Sequence, residues 1–141
     1  TLLMSNSYNY YDEIKPKYKL NQLLNNLYDK FIFTNGTYNH AIDSLSHMRT
    51  PIFDFIFARD NIYKYQKLKP DIDMYIYIQK FINKKYYNKC NIIFYDDQLN
   101  NLKTANKLNW TTVWITTDCD SKPYYVDYIF RNITDAIEYL I

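Results

Sequence analysis

Apolar residues along the chain fall into two alternating rhythms. Leu20, Leu23, Leu24 and Leu27 recur every three or four positions, which predicts a helix over about 20 to 29. "KFIFTNG" follows as a short apolar strand that stops at Thr34-Asn35-Gly36. Helical spacing returns from Tyr38, with Ala41, Ile42, Leu45 and Met48 on one face. "IFDFIF" is short and aromatic-rich, as strands are. "KLKPDIDMYIYIQKFINKK" predicts a third helix, with Pro70 at its first position, Asp71 and Asp73 in its first turn and lysines in its last. "NIIFY" reads as a buried strand, and Leu99, Leu102, Ala105 and Leu108 mark the helix after it. "TTVWIT" and "YVDYIF" predict two more strands, and Ile133, Ala136, Ile137 and Leu140 a closing helix.

Short buried strands alternating with helices predict an α/β fold, Rossmann-like and three-layered. Its sheet is mainly parallel and covered on both faces. The 141 residues form a single domain, 1–141, long enough for a core of its own. No repeat or linker divides it.

Composition narrows the function more by exclusion than by pointing. A hydrophobic fraction of 48% rules out a disordered chain. Seventeen tyrosines beside one glycine, with much Asn, Ile and Lys, look like an A/T-rich coding sequence, so many of these residues carry no specific role. A net charge of +2 leaves no basic face for nucleic acid. The local cluster Lys84, Lys85 and Lys89 falls at a helix C-terminus, where the helix dipole favours cations. Cys90 and Cys119 form neither a disulfide framework nor a metal spacing, which fits a reducing, cytoplasmic setting. No apolar run approaches the roughly 20 residues of a membrane span, and "TLLMSNSYNYYDEIKP" lacks the basic start of a signal peptide.

In open parallel sheets, ligands gather outside the carboxyl ends of the strands. Three loops fall there. Thr34 with the Asn35-Gly36 turn offers a hydroxyl and backbone N–H groups to phosphate oxygens. Lys69, just before Pro70, offers a point charge for the same anion. Asp96 and Asp97 offer the oxygen ligands that Mg²⁺ prefers. Each has a plain alternative: a capped turn at Thr34, a solvated surface lysine at 69, and a helix cap in which Asp97 accepts from backbone N–H groups. Together they describe half of a phosphoryl-transfer site.

"FIFTNGTYNHAIDSL", "KPDIDMYIYI" and "IIFYDDQLNNLKTANKLNWTTVWI" resemble the second, third and fourth motifs of the haloacid dehalogenase superfamily. The look is nearest to its pyrimidine 5′-nucleotidase-like branch, as is "IKPKYKLNQLLNNL", and the resemblance runs from about residue 14 to the C-terminus. It implies that Thr34 and Asn35 bind a phosphoryl group, that Lys69 has a catalytic role in neutralising both that group and the nucleophile, and that Asp96 and Asp97 hold Mg²⁺ directly or through water. It also implies that Asn101 supports the acidic loop. His40 matches the family's His, in a structural role, and Gln98 departs from the usual Ser. The implied ligand is a small phosphorylated molecule, the implied activity that of a phosphomonoesterase. An unrelated flavodoxin-like receiver would also bind Mg²⁺ through an acidic pair, but near its first strand rather than a late one.

One part of the pattern has no counterpart. The family's nucleophile is the first Asp of an Asp-x-Asp at the end of its first, central strand, and the second Asp is its general acid/base. Before Thr34 the acidic residues here are Asp12, Glu13 and Asp29, none in that motif. The expectation is therefore a fold lacking the usual first strand and cap, incomplete at its N-terminus, with residues 1–15 as a remnant of cap or linker. Three outcomes are open: a longer natural chain, a strand supplied by a partner chain or a second copy, or a sheet rebuilt with "TLLMS" standing in or with its two inner strands pairing directly. Without the nucleophile no aspartyl-phosphate can form, so this chain alone is expected to be inactive, either as the remainder of a phosphatase or as a non-catalytic binder of phosphate, Mg²⁺ or a protein.

Overall fold

The computed structural model describes residues 17–50, 53–62, 67–119 and 121–141, and the backbone of 2–4. Among the described residues six strands and five helices follow one another, alternating up to the last two strands, which are consecutive. They are β1 (Leu2–Met4), α1 (Tyr18–Asn25), β2 (Lys30–Phe33), α2 (Tyr38–Met48), β3 (Phe55–Phe57) and α3 (Ile72–Lys85). The series continues with β4 (Ile93–Asp96), α4 (Leu99–Lys107), β5 (Thr111–Ile115), β6 (Tyr128–Phe130) and α5 (Ile133–Leu140). The sheet order is β3-β2-β1-β4-β5-β6, and each pairing is parallel.

The expected gap in the middle of the sheet is not there. β1 lies between β2 and β4, with Met4 opposite both Ile32 and Tyr95. Leu2–Met4, from the "TLLMS" stretch, fills that position. The physical reason is that β2 and β4 would each expose a ladder of backbone donors and acceptors inside a covered sheet, and three residues suffice to pair with both. The remnant expected over 1–15 is therefore partly sheet; the rest of that stretch lies outside the described residues.

Alternation along the strands sorts side chains into two cores. Phe31, Phe33, Phe57 and Phe94 point to the face covered by Tyr75, Ile78 and Ile82 of α3 and Leu102 and Ala105 of α4. Ile32, Ile56, Tyr95 and Val113 point to the other, where Leu20 and Leu24 of α1, Ala41 of α2 and Ala136 and Ile137 of α5 lie. β2 is buried along its whole length, as a strand covered on both faces must be.

Helix starts follow side-chain caps. Thr37 accepts from the His40 N–H, Asp71 from the Asp73 N–H and Asn132 from the Asp135 N–H. Pro70 thus sits one residue before the N-cap of α3, not at its first position, because Asp71 takes the cap; Lys69–Pro70 is a cis peptide. Among the described residues no helix is long and apolar enough to cross a membrane.

Candidate active site

The carboxyl ends of β2, β1 and β4 lie side by side, and the loops after β2 and β4 meet there with the loop that enters α3. The deepest contact is an ion pair. Lys69 Nζ donates to Asp96 Oδ2 at 3.3 Å and to the Phe33 carbonyl at 2.9 Å, with both charged side chains almost wholly buried. The ammonium also stands 4.9 Å from the Phe33 ring centroid, within reach of a cation–π attraction. Burial lowers the Lys69 pKa from its ordinary value, and Asp96 opposes that shift without overcoming it.

Asp96 is held from three sides. Its Oδ1 accepts from the Gln98 N–H at 2.8 Å, and its Oδ2 accepts from Lys69 and from Asn101 Nδ2 at 3.1 Å. Sharing one oxygen explains why the Lys69 contact is long for a charge-assisted bond. Asp97, next along, is exposed. The helix-cap reading of the pair placed the accepting carboxylate on Asp97. In the structure Gln98 is the N-cap of α4 and makes no side-chain cap bond, and it is Asp96 that takes the Gln98 N–H.

The Thr34-Asn35-Gly36 turn completes the convergence. Thr34 is buried; its N–H donates to the Phe57 carbonyl and its Oγ1 accepts from the Gly36 N–H at 3.0 Å. A Cβ on Gly36 would stand 3.3 Å from His40 Cδ2 and 3.4 Å from Thr34 Oγ1, so the glycine lets the His40 ring and the turn close on each other. Asn35 does something the sequence did not suggest. Its amide grips the Lys69 backbone twice, Oδ1 accepting from the Lys69 N–H at 2.8 Å and Nδ2 donating to the Lys69 carbonyl at 3.2 Å. Thr34, Asn35, Lys69, Asp96 and Asn101 therefore form one connected cluster, with exposed Asp97 beside it.

Two further residues brace it. Thr104 Oγ1 of α4 donates to the Pro70 carbonyl at 2.7 Å, and Tyr75 OH of α3 donates to the Asn101 carbonyl at 2.9 Å. The sequence signal for Thr104 was a hydroxyl among the inward-facing Leu102 and Ala105; Tyr75, in a tyrosine-rich chain, carried none.

The family implies Mg²⁺. Among the described residues no group of three His, Cys, Asp or Glu side chains is placed to hold a metal ion. Asp96 has accepted three of the roughly four donors a carboxylate can take. Mg²⁺ nevertheless manages with one or two carboxylates when water and phosphate supply the rest. The residues thus fit a metal shared with a bound phosphate, not a closed protein cage.

The family described as haloacid dehalogenase-like hydrolase matches residues 4–115, most of the chain. This chain belongs to that family. Two solved structures similar to it are a dehalogenase with an intermediate complex (TM-score 0.67, 19% identity, 87% of this chain and 54% of that one) and an L-2-haloacid dehalogenase (0.67, 17%, 88% and 55%). A third is an uncharacterized protein from Listeria monocytogenes serotype 4b (0.64, 14%, 99% and 95%). The chain spans about half the length of the two dehalogenases, and at these identities the likeness is one of fold. Among curated proteins none matches. In this haloacid dehalogenase-like chain, the residues that follow β1 in sequence are Ser5-Asn6-Ser7, and no carboxylate occurs before Asp12.

Proposed function

We propose that this haloacid dehalogenase-like domain binds a small phosphorylated molecule at the carboxyl ends of β2 and β4, and that as this chain it does not hydrolyse it. The observation that carries the reading is the buried Lys69 ammonium, brought to the same point as Thr34 and the acidic loop. Thr34 and the turn's N–H groups would take the phosphate oxygens, Lys69 would balance their charge, and Asn35 would act through Lys69. Asp97, with the remaining lone pair of Asp96, would hold Mg²⁺, which supplies further charge neutralisation when bound. Asn101 keeps Asp96 in place.

The Phe-Thr-Asn, His-Ala and Asp-Asp pattern favours the nucleotidase-like branch, and with it a nucleotide or another phosphomonoester as ligand. The dehalogenase names belong to the similar structures; covalent hydrolysis of either kind needs a nucleophile, and Ser5-Asn6-Ser7 offers no carboxylate. The test is a steady-state assay of the 141-residue chain with p-nitrophenyl phosphate and Mg²⁺. The expected rate equals that of buffer. Mg²⁺-dependent turnover that Asp97→Asn removes would overturn the non-hydrolytic part of the reading.

A further inference from the structure

Beside the phosphate site stands a cation to which that reading gives no task. Arg59 follows β3 by two residues, and its N–H donates to the Gly36 carbonyl at 3.0 Å, so its loop is pinned to the Thr34-Asn35-Gly36 turn. Arg59 is among the residues that line the same opening as Thr34, Asn35 and Lys67.

The charges nearby are already spoken for, with Arg59 as the exception. Lys67 pairs with Asp73 at 2.6 Å and Asp71 at 3.9 Å. Asp60, adjacent to Arg59 in sequence, turns to the start of α2, where its Oδ1 accepts from the Tyr38 N–H at 2.8 Å. The ion pairs found among the described residues do not include Arg59. The opening itself is shallow, about 10 Å³, room for one water. A phosphate is too large to enter it, so a ligand held at Thr34 would lie at its mouth, where exposed Arg59 is one of the lining residues.

We infer that Arg59 is a specificity-determining residue that reads a second anionic group, so that the preferred ligands are phosphorylated acids or bisphosphates rather than neutral phosphomonoesters. The inference rests on the phosphate site proposed above. A guanidinium suits the task because its planar fork meets a carboxylate or phosphate with two parallel bonds and stays charged at any working pH.

Calorimetric titration of the whole chain with methyl phosphate and with 2-phosphoglycolate, which adds one carboxylate, separates the two claims. The expected result is that phosphoglycolate binds about tenfold tighter, as one charge-assisted contact would give. Arg59→Ala should erase that advantage while leaving methyl phosphate affinity unchanged, and Arg59→Lys should restore part of it. Equal binding of the two ligands by the unaltered chain overturns the role of Arg59 and leaves the phosphate site standing. So does an Arg59→Ala loss that is the same for both. No binding of either ligand overturns the phosphate site, and Arg59's role with it.

Discussion

Asp96 satisfies three donors, one from the loop before α3 and two from the start of α4, and the cost of disturbing it follows from what each donor would lose. Asn101 and the Gln98 N–H lie close to the surface loop, whereas the Lys69 ammonium is buried among Phe33 and Phe94. Removing one partner of a buried ion pair strands the other charge, a loss of about 3 kcal/mol or more. Asp96→Asn keeps the shape and removes the charge, so urea unfolding should show a loss of that size with an unchanged slope. A loss below 1 kcal/mol would mean that Lys69 is not held as an ammonium. The resemblance placed Asn35 in the phosphate pocket; its amide also holds the Lys69 backbone, a use that depends on a residue 34 positions away and leaves no local trace.

Helix ends show what a chain with a single glycine does where glycine is favoured. α2, α3 and α4 all close with the paired bonds of a Schellman turn: Thr50 to Leu45, Asn88 to Asn83 and Trp110 to Ala105 carry the longer bond of each. The left-handed residue in them is Arg49 (φ 53°), Tyr87 (φ 52°) or Asn109 (φ 61°). For a residue other than glycine or asparagine this conformation costs roughly 1 kcal/mol. Tyr87 is almost fully exposed and loses little packing if replaced, so Tyr87→Gly should stabilise the protein by about 1 kcal/mol and raise its Tm; no change, or a lower Tm, would contradict the strain argument. Elements of this kind were largely legible in the sequence, since period and length separate α3 from β4 without ambiguity. Their ends were less so. The first helix runs Tyr18–Asn25 rather than to 29, and Asp71 rather than Pro70 marks the start of α3, because caps are decided by which side chain reaches a free N–H. β1 was the hardest to read: Leu2–Met4 has no periodicity to display, and only the two strands that need a neighbour give it meaning.

Across the whole molecule, β1 ties the β2–β3 half of the sheet to the β4–β5–β6 half. It also brings the Thr34 turn and the Asp96–Asp97 loop to the same edge. The Lys69 loop spans that junction, fixed to one half through Asn35 and to the other through Asp96 and Thr104. A site built across the junction needs the sheet closed, and three residues close it. In the proposed function, anion binding would draw on this closed sheet and not on a carboxylate at the end of β1, and only the hydrolytic step would depend on that group. A phosphate site anchored on Thr34 should show itself when orthophosphate is titrated by calorimetry into the 141-residue chain and into its Thr34→Val form. The prediction is saturable binding by the unaltered chain, weakened about tenfold when the hydroxyl is replaced by a methyl of the same size. Absence of binding in a folded chain, or equal affinity in the two forms, would contradict it.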